Sequence, residues 1–138
     1  MNSLVLALAV SFVAASAAAG APHPDSSVVR GDFDGDGVID RATLVQSESK
    51  VEISIERGGA SAAVQVLEFG VGPSRQDAIC QLPAELIATP QNCSPMDEPL
   101  PGCKVITGAI GLTLSDGECD SIHLYWDHAA SHMAWWRL

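Results

Sequence analysis

The chain has 138 residues, of which 47% are hydrophobic and 17% are charged. This length suits one compact domain, and the composition is not that of a disordered acidic tail or a low-complexity linker. Seventeen acidic residues against seven basic ones give a formal net charge of −10. That charge argues against nucleic acid and against an anionic membrane surface as partners, because both attract clusters of Lys and Arg.

The N-terminal segment has the composition of a secretory signal peptide. Residues 1–20 contain no charged side chain, and an apolar run over residues 4–15 is broken only by Ser11. Small residues follow, with Ala19 and Ala21 placed as they are around cleavage sites of exported proteins. A buried helix or a membrane anchor is the alternative, although the run is shorter than the ~20 residues that span a bilayer.

The rest of the chain offers no second membrane signal. The first cysteine is Cys80, so no acylation site lies near the predicted cleavage point, and no later apolar stretch is long enough to cross a bilayer. We therefore predict a periplasmic or secreted protein that is not lipid-anchored and does not enter the membrane once the signal peptide is removed.

An acidic loop, GDFDGDGVIDR at residues 31–41, carries the most specific motif of the chain. Its spacing matches the ligand positions of a calcium loop, in which alternate carboxylates of a tightly wound turn converge on one point. The predicted ligands are the carboxylates of Asp32, Asp34, Asp36 and Asp40 and the backbone carbonyl of Val38. Gly37 stands where the turn requires a positive φ. Because four close carboxylates repel one another without a cation, the loop predicts bound Ca²⁺.

Other interpretations of the acidic loop remain open. It could be a glycine-rich surface turn without metal, or a Mg²⁺ site, although Mg²⁺ prefers fewer carboxylates and strict octahedral geometry. The loop is not an EF-hand, because a strand pattern follows it and Thr43 stands where an EF-hand has its bidentate Glu. We expect the ion to be structural, since extracellular calcium fills even sites of ~10⁻⁴–10⁻³ M and makes them poor sensors.

Short strand-like segments account for the rest of the chain. The clearest is residues 50–57, where Val51, Ile53 and Ile55 alternate with polar residues, as in a half-buried antiparallel strand. The predicted strands are residues 42–45, 50–57, 63–69, 82–89, 110–114, 121–127 and 133–138. We predict an all-β fold, a small antiparallel sandwich or rolled sheet of about seven short strands, with the calcium loop before the first main strand. The predicted organisation is a signal peptide at 1–20, a linker at 21–27 and a single β domain at 28–138.

All four cysteines lie in the second half of the chain, at Cys80, Cys93, Cys103 and Cys119. An even number in a small exported domain predicts two disulfides. Of the three possible pairings we favour Cys93–Cys103, which closes a proline-rich segment, together with Cys80–Cys119. A zinc site is the alternative, but the chain has no Cys-x-x-Cys pair.

A looser cluster of His and Asp side chains surrounds the predicted terminal hairpin. Its members are His123, Asp127, His128 and His132. Such a cluster could hold a metal or transfer protons, and the alternative is a polar strand face beside a solvated turn. The chain has no nucleophile elbow, phosphate loop or His-Glu-x-x-His motif, so we predict that it is not an enzyme.

The acidic loop also resembles a known type of calcium loop. The pattern DxDxDGxxD followed by a strand, at residues 31–45, resembles the loops of FG-GAP and related VCBS-type repeats, which implies ligand roles for the same five residues. The wider order, with Tyr125, Trp126 and Asp127 in a C-terminal hairpin, is similar to small exported proteins of Gram-negative bacteria. A weaker resemblance is to periplasmic immunity proteins and lysozyme inhibitors, which block enzymes that cleave peptidoglycan.

Three function hypotheses result. The first is a non-enzymatic, calcium-stabilised periplasmic or secreted β domain that binds an unknown partner. The second, implied by the weaker resemblance, is an inhibitor or immunity protein against a cationic cell-wall hydrolase. Without the four loop aspartates, 13 acidic and 7 basic residues remain, a surplus that would attract such an enzyme. The third is a small hydrolase that uses the His/Asp hairpin.

Overall fold

The computed structural model describes residues 27–59 and 64–138, and these residues form nine strands and no helix. The strands are β1 (Ser27–Gly31), β2 (Asp40–Gln46), β3 (Lys50–Glu56), β4 (Gln65–Val71), β5 (Ala78–Ile79), β6 (Glu85–Pro90), β7 (Ile110–Ser115), β8 (Ile122–Asp127) and β9 (His132–Trp136). One sheet has the order β1-β2-β3-β4-β5 and the other β6-β7-β8-β9. Among the strand pairs of the described residues, only β4–β5 is parallel. The predicted all-β class is confirmed, and the two sheets are those of a small β sandwich.

The two sheets bury one apolar core between them. Period-two alternation produces it, because every second side chain of a strand points to the same face. In β2 and β3, Leu44 and Ile53 are direct cross-strand partners and both are fully buried. In the other sheet Leu112 and Leu124 are paired and buried in the same way. Each such side chain stabilises the fold by about 1.5–3 kcal/mol.

Two glutamine side chains connect the sheets through main-chain atoms. Gln46 accepts a hydrogen bond from the Ala84 N–H at 2.7 Å and donates one to the Ala84 carbonyl at 2.9 Å. Gln65 does the same with the N–H and the carbonyl of Met133, both at 2.8 Å. Because a carboxamide carries both a donor and an acceptor, each glutamine imitates one β-bridge between the two halves of the sandwich.

Two strands were not predicted, and one of them changes the setting of the acidic loop. The sequence predicts no strand over β1, because its two valines, Val28 and Val29, are adjacent and only Val29 packs against the core. β5 has only two residues. Since β1 pairs with β2, with Gly31 opposite Asp40, the acidic loop does not merely precede the first strand. It connects two antiparallel strands.

The other predicted strands occur with shifted ends. β4 continues two residues beyond its predicted end at 69, and its predicted start at 63 lies outside the described residues. The signal peptide predicted at 1–20 and the linker up to residue 26 also lie outside them, so both stay predictions. Within the part of the chain that the structure describes, no helix is long and apolar enough to cross a membrane.

Both disulfides that we favoured from the sequence are present. Cys80 pairs with Cys119 and Cys93 with Cys103, with Cα–Cα distances of 5.8 and 5.5 Å. All four sulfurs are therefore used, which rules out the zinc interpretation. Two disulfides in a small domain indicate that the protein folds in an oxidising, exported environment.

A single carboxylate organises the chain around the Cys80–Cys119 disulfide. Asp116 accepts hydrogen bonds from the backbone N–H groups of Cys80, Gln81, Glu118 and Cys119. Burial by itself would raise the pKa of Asp116, but the four N–H donors hold it below its ordinary value. This carboxylate therefore needs no cation partner.

Candidate metal site

The acidic loop is held at both ends and along one side. The β1–β2 pairing fixes its ends, and the Ile110 N–H donates a hydrogen bond to the Asp32 carbonyl at 2.9 Å. Gly31 lies so close to Ile110 that an added Cβ would come within 2.1 Å of the isoleucine Cδ1, and Gly35 is similarly close to Ile106. The segment before β7 thus supports the loop from one side.

The loop is wound around its own carboxylates. Asp32 Oδ1 accepts the N–H of Gly35 at 2.7 Å, and Asp32 Oδ2 accepts the N–H of Gly37 at 2.9 Å. The two glycines have φ values of +76° and +85°, which side-chain-bearing residues rarely adopt. The requirement for a positive φ at Gly37, expected from the sequence, is therefore met.

Two further aspartates form the same kind of local turn. Asp34 Oδ1 accepts the N–H of Asp36 at 3.1 Å, and Asp36 Oδ1 accepts the N–H of Val38 at 2.8 Å. These bonds, from a side chain to the backbone two residues later, are Asx turns, which allow the chain to bend tightly without a regular backbone ladder. They fix the side-chain conformations of Asp34 and Asp36 relative to the backbone of the loop.

Three of the four predicted carboxylates come together. Asp32, Asp34 and Asp40 each offer an oxygen, and these oxygens lie within 4.8 Å of one another. Oxygens that bind one Ca²⁺ at 2.3–2.6 Å are at most about 5 Å apart, so the spacing fits one shared ion. Asp34 and Asp40 are 6% and 1% exposed, and buried carboxylates at this distance require a positive partner.

The pKa of Asp40 shows the effect of placing several carboxylates close together in a buried position. Its two oxygens accept the backbone N–H groups of Phe33 and Gly58, at 2.7 and 2.8 Å. Burial nevertheless raises the pKa of Asp40, against these two hydrogen bonds, and the charges of Asp34 and Asp36 raise it further. A cation at this position would oppose both the desolvation and the repulsion.

The structure adds one residue that the sequence analysis missed. Arg57 follows β3, and its Nε donates to Asp34 Oδ2 at 2.5 Å while a second guanidinium nitrogen contacts the same oxygen. That nitrogen lies 4.0 Å from Asp36 Oδ2. The guanidinium carbon is 5.0 Å from the centre of the Trp126 ring, which belongs to the other sheet. The sequence carries no motif that links this arginine to the loop.

The remaining predicted ligands lie at the rim of the loop. Asp36 is exposed and is not one of the three residues whose oxygens meet. Val38 is 41% exposed, and its side chain lies close to Gly58 in the turn after β3. The predicted ligand is the backbone carbonyl of Val38. Ligand roles for Asp36 and Val38 stay predictions.

The His/Asp hairpin does not form a comparable cluster. His123 Nδ1 lies 3.1 Å from Thr113 Oγ1, and the imidazole stacks on Trp136 with the ring centres 4.2 Å apart. Burial lowers the pKa of His123. Asp127 Oδ1 accepts two backbone N–H groups of the β8–β9 turn. His123 and Asp127 thus have separate local contacts, whereas His128 Nε2 is buried without a hydrogen-bond partner and His132 is exposed. The groups of possible metal ligands within the described residues contain no histidine.

Comparisons of this chain with protein family models, with curated proteins and with solved structures find no match. The site is therefore interpreted from its own residues.

Proposed function

We propose that this protein is a calcium-binding β domain that acts by binding a partner and not by catalysis, and that its ion is a structural element. The observation that carries the proposal is the convergence of Asp32, Asp34 and Asp40 within one short loop. The loop is already wound by its own N–H donors, so binding an ion requires little further ordering of the backbone.

The donor chemistry favours calcium over other metals. The three converging donors are carboxylate oxygens, which suit hard cations and not those that prefer sulfur or imidazole. Ca²⁺ accepts 6–8 oxygens in flexible geometry, whereas Mg²⁺ requires octahedral ligands at 2.0–2.1 Å. Asp36 and the Val38 carbonyl are the nearest candidates for the further ligands that calcium needs.

A bound ion would neutralise the cluster and connect three parts of the fold. Asp32 and Asp34 belong to the loop, and Asp40 begins β2. Asp40 also accepts the N–H of Gly58, just after β3. Loss of the ion is therefore expected to loosen the edge of the five-stranded sheet, where β1 has β2 as its only sheet neighbour among the described strands.

Thermal unfolding tests this proposal. The melting temperature should be higher in millimolar calcium than in excess chelator, and Asp34→Asn should abolish most of that difference. Asp120→Asn is the matched control, because Asp120 is exposed and lies outside the loop, and it should retain the calcium response. An identical melting temperature of the unaltered protein with calcium and with chelator would refute the proposal.

We also propose that residues 1–20 are a signal peptide and that the mature protein is periplasmic or secreted. The support is the uncharged apolar segment at the N-terminus and the presence of two disulfides. Mass spectrometry of the protein from a fractionated host should find a new N-terminus near Ala19–Ala21. An intact N-terminus in the cytoplasmic fraction would contradict this assignment.

A second candidate function is inhibition of a cationic cell-wall hydrolase. Its support is the acidic net charge together with the loop closed by Cys93–Cys103, where Met96 is 56% exposed and Asp97 and Glu98 are also exposed. The base of that loop is held by the Tyr125 hydroxyl, which donates to the Pro101 carbonyl at 3.1 Å. A preorganised acidic loop loses little entropy on binding a basic surface.

Calorimetric titration with a purified lysozyme tests this second candidate. Saturable binding that weakens in the double variant Asp97→Asn, Glu98→Gln would support it. Absence of binding at low salt, where charge attraction is strongest, would remove it and leave the calcium proposal unaffected.

A further inference from the structure

The guanidinium of Arg57 contacts a buried carboxylate of the acidic cluster. Two of its guanidinium nitrogens contact one oxygen of Asp34, which is buried. The charge-assisted geometry makes this one of the stronger kinds of hydrogen bond in proteins. The arginine therefore already supplies one positive charge to the cluster.

The turn after β3 places Arg57 beside the acidic loop. The next residue, Gly58, donates its N–H to Asp40, so the turn after β3 is attached to the cluster at two neighbouring positions. An added Cβ on Gly58 would lie 2.2 Å from the Ile39 carbonyl oxygen, which shows how closely this turn approaches the loop. The backbone of Arg57 is therefore fixed beside the cluster.

One face of the Arg57 guanidinium also contacts an aromatic ring. Its carbon lies 5.0 Å from the centre of the Trp126 ring, within the range of a cation–π contact. Trp126 is buried in β8 of the four-stranded sheet. The arginine thus joins the acidic loop to the opposite sheet, with the Asp34 carboxylate at the edge of its guanidinium and the Trp126 ring against one face.

We propose that Arg57 is an internal counter-cation that competes with the metal ion for Asp34 and so sets the calcium affinity of the site. This inference rests on the proposed calcium function. An incoming divalent ion needs Asp34 as a ligand and meets a positive charge that already holds one of its oxygens. Without the ion, the same arginine keeps the loop folded by neutralising part of the cluster.

Calorimetric calcium titration of three proteins tests the proposal. Arg57→Gln should bind calcium about tenfold or more tightly than the unaltered chain, the fold-change expected from losing a charge-assisted hydrogen bond. Arg75→Gln makes the same change of net charge. Arg75 pairs with Asp77 on an exposed loop, so this control should change the affinity by much less.

Melting in chelator provides an independent readout. Arg57→Gln should melt at a lower temperature than the unaltered protein in chelator, and calcium should raise its melting temperature by a larger increment. Arg57→Lys keeps the charge but loses the forked donor geometry, so its calcium affinity should lie between the two. Arg57→Lys also allows the test if Arg57→Gln fails to fold without calcium.

The outcomes separate this inference from the calcium proposal. If the unaltered protein binds calcium and Arg57→Gln binds it equally or more weakly, the competition is refuted and the calcium site stands. If calcium binds only after Arg57 is replaced, the competition is supported and the unaltered protein is not a calcium protein. If neither protein binds calcium, both proposals are wrong.

Discussion

Two turns of this protein are built around buried or half-buried aspartates. The charges of these aspartates are stabilised against burial in different ways. At the Cys80–Cys119 disulfide, Asp116 stands alone and four backbone N–H groups surround it, which holds its pKa below the ordinary value despite burial. In the acidic loop, Asp40 accepts two N–H groups, but burial and the charges of Asp34 and Asp36 raise its pKa. Backbone dipoles alone stabilise the single carboxylate of Asp116, whereas in the acidic loop they do not offset the burial and repulsion at Asp40.

The comparison also explains why only one of the two turns is a candidate metal site. Backbone N–H groups satisfy each carboxylate separately and do nothing for the repulsion between carboxylates. Arg57 supplies one positive charge to the loop, and a divalent ion would supply two. Substitutions in the two turns should therefore differ in whether their effects depend on calcium.

Asp116→Ala should have the largest effect on stability, about 3 kcal/mol, because it removes the acceptor of four N–H groups that lie next to a disulfide. Denaturant unfolding should give the same loss in calcium and in chelator. Asp120→Ala serves as the surface control and should lie within about 0.5 kcal/mol of the unaltered protein. A loss from Asp116→Ala that depends on calcium would break the distinction between the two turns.

Asp40→Asn should behave in the opposite way and depend on the ion. In calcium it should destabilise the protein by about 2 kcal/mol, because a buried charged ligand becomes neutral. In chelator the cost should be smaller but not absent, since the substitution removes a buried charge from a repulsive cluster while leaving one of the two N–H groups of Phe33 and Gly58 without an acceptor. Denaturant unfolding under both conditions measures this, and an equal cost in the two buffers would argue against Asp40 as a ligand.

Gln65→Leu should cost about 1–2 kcal/mol, because the N–H and the carbonyl of Met133 both lose their partner. The effect should not depend on calcium, since Gln65 lies outside the loop. Gln76→Leu is a suitable control because Gln76 is exposed. A calcium-dependent cost would mean that the ion influences the whole sandwich and not only one edge.

In chelator, Asp116 and Asp40 should contribute with opposite signs to the pH dependence of the free energy of unfolding. We expect these effects to be smaller than those of the substitutions above. The lowered pKa of Asp116 stabilises the fold above the ordinary value of 3.8, and this stability is lost as the pH falls through its folded pKa. The raised pKa of Asp40 has the reverse sign, because the folded state takes up the proton first and gains stability as the pH falls toward 3.8. Comparing Asp116→Asn with Asp40→Asn by unfolding at several pH values should therefore change the slope in opposite directions.

Much of the fold was predictable because the pattern of buried residues is local. β3 alternates so strictly that its prediction ends only one residue from the observed end. β1 could not be found in the same way, because the apolar Val28 is exposed at the sheet edge beside the core-facing Val29, so its sequence does not alternate in polarity. β5 pairs with β4 through tertiary contacts. A segment of two residues is too short to show a strand pattern in the sequence.

The candidate site was predictable to the extent that it is contained in one loop. The spacing of Asp32, Asp34 and Asp40 brings three carboxylates together, as the motif indicates. Arg57 lies 23 residues from Asp34 along the chain, and only the β-sheet brings the two together. Proximity in sequence does not by itself make a site. His123 and Asp127 are close in the sequence of the terminal hairpin, but each makes its own separate contact.

A crystal structure of the protein grown in millimolar calcium would show directly whether the acidic loop binds the ion. We expect one ion bound to at least one oxygen of each of Asp32, Asp34 and Asp40, at about 2.3–2.6 Å. Density for water alone among these three carboxylates, with Arg57 still on Asp34 at saturating calcium, would contradict it.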